Sequence, residues 1–379
     1  MPRDTYAQIE SLIYRIRAGC ALLGVTHNTI RGYADNTGIP VRRASDIIPG
    51  SPAARIFDPD NLFQIAQWRR SQGYIKGPDP SQPPQVITVD VIKGGTGKTT
   101  TSVELAIHLQ LIGLRCLLID LDVQANATQM MGYEPDLTLE EADQFDLSEK
   151  AIVTETFASV LMPFLERGKM ASRIQPSENL IKKPFGEHGP HLVPSDTFMS
   201  EVEQVIANGK GQRELYIRQL LDSSFAGGVP GFDVSGYDVI IFDCPPSVSF
   251  TSTAALAAAD FVVAPIRLDA FSVKGLAQLM NEIMGLNSAY GVKPELVILP
   301  THYAPQLARI GRMQMQISQY QEMLASNVIS ASEEFPKSLD HYIPLTLQKP
   351  TSTAAQEYRV FAEFMNGKIL KKSAERRVK

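Results

Sequence analysis

The feature that most restricts this chain is a glycine-rich loop set between two regular elements. Val86–Ile92 (VITVDVI) is a short β-branched apolar run, Lys93-Gly-Gly-Thr-Gly-Lys-Thr-Thr100 follows it, and a helical pattern runs from Thr99 to about Ile112. Strand, glycine loop and helix in that order are what a phosphate-binding loop requires. Glycines let the backbone fold tightly, so that successive N–H groups point inward at an anion. The first turn of the helix adds its partial positive charge. Lys98 is expected to reach the β- and γ-phosphates and the Thr99 hydroxyl to ligate Mg2+, with Gly94, Gly95, Thr96, Gly97 and Thr100 completing the cradle. The spacing G-x-x-x-x-G-K-[ST] is not met, because Ile92 occupies the first glycine's place. The match is to K-G-G-x-G-K-[ST], with a second lysine at Lys93.

Further apolar runs occur at Cys116–Leu121, Val239–Phe242, Phe261–Ile266 and Leu296–Leu299. Helix-length segments lie near Gln212–Ser223, Ser252–Ala259, Val273–Leu286 and Ile310–Ala325. Continuous apolar strands alternating with helices predict an α/β fold with a parallel sheet covered on both faces. Residues 86–370 are expected to form that domain. Asp120 and Asp122 end one run (LLIDLDVQAN) and Asp243 ends another (VIIFDCPPS). In such sheets ligands collect at the carboxyl ends of the strands. Asp243 suits a Mg2+ role through water, and Asp122 suits orientation of an attacking water. Asp120 either caps the next helix or helps organise the metal.

Four prolines between Gly77 and Pro84 predict an extended linker, residues 77–85, because proline fixes φ and removes a backbone donor. Ahead of it, residues 1–76 are expected to form a small helical, winged helix-turn-helix domain. Ala18–Leu23 is its first helix, Gly24-Val25-Thr26 the turn and His27–Asp35 the recognition helix, N-capped by Thr26. Thr29, Arg31 and Asn28 would point outward, and Pro40-Val-Arg-Arg43 would make a strand or wing with phosphate contacts from Arg42 and Arg43. Residues 134–190 read as an irregular surface insertion, acidic at first (seven acids and no base in Glu134–Glu149), with helix at Ala151–Glu166. Residues 371–379 read as a frayed basic tail.

Composition narrows the classes. Apolar residues make up 44% and charged residues 20%, which excludes a disordered or collagen-like chain. The three cysteines are far apart, so a zinc or iron–sulfur centre is disfavoured. Without an apolar stretch of about 18 residues or a secretory leader, a cytoplasmic protein is expected. The net charge of −5 hides an uneven spread, since residues 1–80 carry ten Lys/Arg against seven Asp/Glu.

KGGTGKTT, LLIDLDVQAN and VIIFDCPPS, in that order, resemble the ParA/MinD family of deviant Walker A ATPases. His191–Asp196, Ala264–Gln278 and Ile343–Glu357 add family-like stretches. The resemblance implies a P-loop NTPase fold, ATP/ADP and Mg2+ as ligands, and a homodimer in which Lys93 reaches the partner's phosphates. A helix-turn-helix ahead of the ATPase resembles the longer plasmid-type ParA proteins. It implies a ParB-type partner, operator DNA for the N-terminal part, and nonspecific DNA bound through Arg309, Arg312, Lys349 and Lys371-Lys372. An ATP-switched transcriptional regulator and a MinD-like membrane-positioning ATPase remain alternatives. The tail lacks the sustained apolar face that a membrane helix needs. Two departures stand out: Val91-Ile92 where the family often has Asn-Gln, and Val328–Ser332 where Pro-Arg-Asn often follows a strand.

Overall fold

The computed structural model describes residues 9, 11–47, 49–145, 147–165, 179–209, 211–304 and 318–378. The N-terminal part holds strand β1 (Tyr14–Arg15), helices α1 (Ile16–Leu23), α2 (His27–Asn36) and α3 (Ala44–Ile47), strand β2 (Ile56–Phe57) antiparallel to β1, and α4 (Pro59–Ser71). Strands and helices then alternate: β3 (Gln85–Val89), α5 (Lys98–Ile112), β4 (Cys116–Asp120), α6 (Asn126–Met130), α7 (Leu139–Gln144), α8 (Phe157–Leu165) and β5 (His191–Val193). After α9 (Met199–Asn208) and α10 (Tyr216–Phe225) come β6 (Val239–Asp243), α11 (Phe250–Ala258), β7 (Phe261–Arg267), α12 (Ala270–Tyr290) and β8 (Glu295–Thr301). The chain closes with α13 (Glu334–His341), α14 (Leu345–Gln348) and α15 (Thr353–Val378).

The six long-range strands form one parallel sheet in the order β5-β4-β6-β3-β7-β8. Helices cover both faces, which is why the strands read as unbroken apolar runs. Ile87, Val89, Leu118, Ile241 and Val263 face one core, while Val86, Leu117, Ile119 and Ile240 face the other. The chain leaves central β3 towards β4 on one side and later crosses to β7 on the other. This switch point puts the glycine loop in a crevice at the carboxyl end of the sheet. Part of the expected helix Ile310–Ala325 lies outside the described residues, and Ser318–Met323 is a 3-10 segment.

The N-terminal part is not held at the end of a free spacer. Leu22, Ile30, Phe57, Phe63 and Ile65 share one core with Val103, Ile107 and Leu111 of α5 and with Tyr358, Phe361 and Met365 of α15. At Gly113 (φ +109) a Cβ would stand 2.7 Å from the Ala66 carbonyl oxygen, so α4 crosses the end of α5 at a distance that only glycine permits. Arg70 donates to Asp238 Oδ1 at 2.9 Å, and Asp238 Oδ2 accepts the Arg115 N–H at 2.7 Å. Tyr14 Oη donates to the Leu347 carbonyl at 2.9 Å. Prolines do keep 77–84 out of helix and sheet, yet the segment is fastened to α15: the Asp79 N–H donates to Ser373 Oγ at 3.0 Å and Gln82 Nε2 to the Ser373 carbonyl at 3.2 Å.

Two further expectations are corrected. The basic tail is the last turns of α15, which continues through Gly367 to Val378 because Phe361, Met365 and Ile369 are buried beneath it. Its charges are matched: Arg376 donates to Asp260 at 2.6 Å, Arg377 to Asp79 at 2.8 Å, and the Lys372 ammonium lies 5.8 Å from the Phe261 ring centre, leaving Lys371 exposed. The 134–190 insertion is surface only in part. Phe157, Val160 and Leu161 of α8 enter the second core, and the His188 carbonyl accepts Gln67 Nε2 at 3.2 Å and Gln110 Nε2 at 2.6 Å, bridging α4 and α5.

Deleting residues 1–76 strips the apolar faces of α5 and α15. The remainder is expected to aggregate or melt far below the full chain, as followed by sedimentation velocity and thermal unfolding. A monodisperse truncated protein with the full-length Tm contradicts this packing.

Two titratable side chains also lie in the shared core. Glu104, fully buried, accepts the Thr346 N–H at 3.2 Å, and burial raises its carboxyl from 4.5 to about 7. One turn on, His108 Nε2 bonds Thr346 Oγ1 at 2.8 Å, and burial lowers the imidazole to about 3. Between pH 4.5 and about 7 the folded chain keeps a proton on Glu104 that the unfolded chain has lost, so stability from this site falls as pH rises through that window. Relative to wild type, Glu104→Gln should therefore gain on the order of 2 kcal/mol between pH 5 and pH 8 in urea unfolding. A pH-independent difference contradicts the assignment.

Candidate functional site

The loop joining β3 to α5 folds as a phosphate cradle must. Gly95 (φ +69) and Gly97 (φ +87) hold left-handed backbone, which L side chains adopt at a cost. Nothing stands within 4 Å of where a Cβ would project from Gly94 or Gly95, so the mouth of the cradle is open. Lys98 is buried, and its ammonium donates to the carbonyls of Val91 at 3.2 Å and Lys93 at 2.9 Å. These neutral acceptors leave its positive charge unpaired by them at the floor of the loop. Thr96 is buried too. Its carbonyl accepts Thr301 Oγ1 at 2.7 Å, tying the loop to β8, and its hydroxyl has no partner among the described residues.

Three carboxylates stand at the neighbouring strand ends, with different fates. Asp120 and Asp243 are register partners across β4 and β6. Burial raises both; for Asp120 the facing Asp243 adds to the effect, while for Asp243 the hydroxyls of Ser102 and Thr99 and the Lys98 charge oppose it. Asp120 spends both oxygens on the backbone and side chain of its own loop, accepting from Asp122 N at 3.0 Å, Thr128 N at 3.0 Å and Thr128 Oγ1 at 2.8 Å. Asp243 Oδ1 accepts Ser102 Oγ at 2.8 Å, but its buried Oδ2 has no partner among the described residues. An unmet buried carboxylate oxygen is unfavourable alone and is what a hydrated cation would satisfy. The residues present therefore fit Mg2+ held by Thr99 and, through water, by Asp243. Asp122 is buried, with Oδ1 accepting the Gln124 N–H at 3.0 Å.

Lys93 turns away from this cradle within its own chain. Its ammonium donates to both oxygens of Asp269, at 2.6 and 2.7 Å, and to Ser272 Oγ at 3.1 Å. Asp269 is the N-cap of α12 and accepts the Ser272 N–H at 2.8 Å. Burial alone would raise the Asp269 carboxyl; the Lys93 and Ser272 hydrogen bonds hold it below the ordinary range. Beside the loop opens a cavity of about 400 Å³ whose walls include Gly97, Thr100, His302, Ile329, Phe335 and Tyr358. The Tyr358 hydroxyl is 3.1 Å from Thr101 Oγ1, so the cavity wall is anchored to α5.

The residues expected to meet DNA lie on other elements. Thr26 caps α2 by accepting the Thr29 N–H at 3.3 Å, but the Thr29 hydroxyl is itself paired with Thr26 Oγ1 at 2.8 Å and half-buried. Asn28, Arg31, Arg42 and Arg43 are exposed; Arg43 donates to the Ala53 carbonyl at 3.0 Å, and Arg42 lies 3.8 Å from Asp58. Of the expected wing, Arg43 makes a single antiparallel bridge to Arg55. Lys349 is exposed after α14, and Arg309 and Arg312 lie outside the described residues.

Several site residues escape sequence reasoning. Asp269 was signalled faintly, as an acid three residues before Ser272 where strand β7 gives way to a helix. Asp90 reads as part of a strand; it is buried beside Lys98, and burial lifts its carboxyl to about 7. Ser102, Tyr358 and His302 carry no local signal, because the fold brings them to the loop from within a helix and from distant segments.

The profile of a family described as "AAA domain" matches residues 84–298, more than half of the chain. Sporulation initiation inhibitor protein Soj of Bacillus subtilis is 27% identical over 288 residues, covering 72% of this chain and 95% of that protein. A plasmid partition protein of Borrelia burgdorferi bound to AMPPNP superposes with a TM-score of 0.55 at 19% identity, over 76% of this chain and 100% of its own. Cobyrinic acid a,c-diamide synthase of Mycobacterium smegmatis, with an ATP analogue and magnesium, gives 0.55 at 22% identity over 74% and 93%. Among the described residues no helix is long and apolar enough to cross a membrane. With its lysine-bearing loop, strand-end acids and parallel sheet, the chain belongs to the AAA-domain family, as a P-loop ATPase of the ParA/MinD kind.

Proposed function

We propose that this chain is an ATP-switched partition ATPase of the ParA type. Two copies close over two nucleotides, the closed pair holds DNA without sequence preference, and a ParB-type protein on the cargo stimulates hydrolysis and releases it. The observation that carries this reading is the division of labour in one loop. Lys98 lies inside the cradle, while Lys93 is parked on Asp269, a partner it can exchange for a phosphate. The Borrelia plasmid partition protein, by its name, lies on the same side.

In this reading the phosphates lie on Gly94–Thr100, the purine enters the cavity walled by Phe335 and Tyr358, and Asp122 orients the attacking water. Thr99 and, through water, Asp243 would hold Mg2+, which when bound would supply positive charge to offset that of the phosphates. Arg31, Arg42 and Arg43 serve operator DNA, while Lys349, with Arg309 and Arg312, serves nonspecific DNA. Phosphate neutralisation makes such binding fall steeply with salt. A second reading, a transcriptional regulator that uses ATP to set its dimeric state, is favoured by one observation: the N-terminal helices share the core of the ATPase. Filter binding of operator-containing and random DNA with ATP and with ADP separates the two. The regulator predicts no ATP-dependent retention of random DNA.

Lys98→Ala is expected to lose nucleotide binding, and Asp122→Ala to bind ATP yet remain on DNA. Normal phosphate release by Asp122→Ala contradicts its role. Asp269→Asn keeps a cap oxygen for α12 but removes the charge that holds Lys93. Loss of a partly exposed ion pair should lower the protein concentration needed for ATP-dependent DNA retention by about twofold to fivefold. An unchanged or higher requirement contradicts the exchange of partners.

A further inference from the structure

We propose that Asp120 is a positioning residue for ATP hydrolysis, stapling shut the loop that carries Asp122 and touching neither metal nor phosphate. The proposal rests on the reading of Asp122 as the group that orients water.

Asp120 ends β4 with no exposed surface. Its Oδ1 accepts the N–H of Asp122, two residues on, at 3.0 Å; its Oδ2 accepts the N–H and hydroxyl of Thr128, eight residues on, at 3.0 and 2.8 Å. One carboxylate thus grips both ends of the segment between β4 and α6. The grip extends outward, since Thr128 Oγ1 also accepts the Ser195 N–H at 3.0 Å from the chain beyond β5. Inside the staple the turn is tight: the Ala125 N–H donates to the Asp122 carbonyl at 2.9 Å, and Ala125 has φ +49.

A non-glycine residue in left-handed backbone is unfavourable by about 1–2 kcal/mol and persists where its surroundings over-determine it. Here the over-determining group is Asp120. Three donors converge on its two oxygens and favour the charged carboxylate against the burial and the facing Asp243 that disfavour it; an amide cannot meet the three, because it turns one acceptor into an NH2 donor facing N–H groups. The contrast with Asp243 separates the roles. Asp243 keeps an unmet oxygen for a ligand, whereas Asp120 has each oxygen already hydrogen-bonded within the chain.

The consequence is kinetic. A displacement of roughly 1 Å in a group that aligns a reactant lowers the rate by about a hundredfold. The test is the full chain carrying Asp120→Asn, assayed for binding of a fluorescent ADP analogue with Mg2+ and for single-turnover phosphate release. The expected result is nucleotide affinity within about threefold of wild type and a catalytic rate at least tenfold lower. In the Asp122→Ala background, Asp120→Asn should add no further loss, because the group it positions is gone.

Should Asp120→Asn fail to fold, Thr128→Val, which removes one of the three donors, carries the test with a smaller expected loss of catalytic rate at unchanged affinity. A wild-type rate in folded Asp120→Asn or Thr128→Val overturns the proposal. So does a loss of Mg2+–nucleotide affinity at unchanged rate, which would make Asp120 a ligand, or a multiplicative loss on top of Asp122→Ala. Asp122→Ala measured alone keeps the two readings apart: if it is inactive while Asp120→Asn is fully active, the positioning role fails and the role of Asp122 stands.

Discussion

Twelve of the fifteen residues of α5 are buried, and that confinement governs the rest of the structure. Its first turn presents Lys98 and Thr99 to the phosphate cradle. Its flanks lie against the sheet, α4 and α15, and its last residue gives way to Gly113, where the backbone of α4 leaves no room for a side chain. A helix packed at crystal-like density on every side does not shift alone. The N-terminal helices and α15 therefore pack on the same helix that carries the phosphate loop, and Tyr358 of α15 walls the adjoining cavity and contacts Thr101.

Electrostatics at the strand ends follow the same economy. Burial disfavours charge on Asp90, Asp120 and Asp243 alike, and hydrogen bonds decide how each is used. Asp120 is consumed by its loop, Asp243 is half-satisfied, and Asp122 accepts from the Gln124 N–H. Lys98 and Lys93, five residues apart, are likewise divided: one rests on backbone carbonyls, the other on a helix-capping carboxylate.

What the sequence discloses is what a local pattern can encode. The loop, the apolar runs of β3, β4, β6, β7 and β8, and the strand-end acids each declare themselves within a few residues. Three-residue β5 is too short to show a pattern, and part of the expected helix near Ile310 falls outside the described residues. Long-range docking leaves a poorer trace. Four prolines announce a spacer equally well whether it hangs free or is strapped to Ser373. Gly367 reads as a break because glycine in a helix interior costs about 1 kcal/mol relative to alanine, yet burial of Phe361, Met365 and Ile369 outweighs it. The partner of Lys93, 176 residues away, is set by topology: β7 and α12 return to the side of β3 where the loop begins.

In the proposed function, a chain that holds one lysine on Asp269 and another on its own loop carbonyls is completed by a second copy. Light-scattering mass with Mg2+ and a non-hydrolysable ATP analogue tests this most directly. The account predicts a doubling of mass over the ADP-bound protein. A folded, nucleotide-saturated monomer in both states would contradict it.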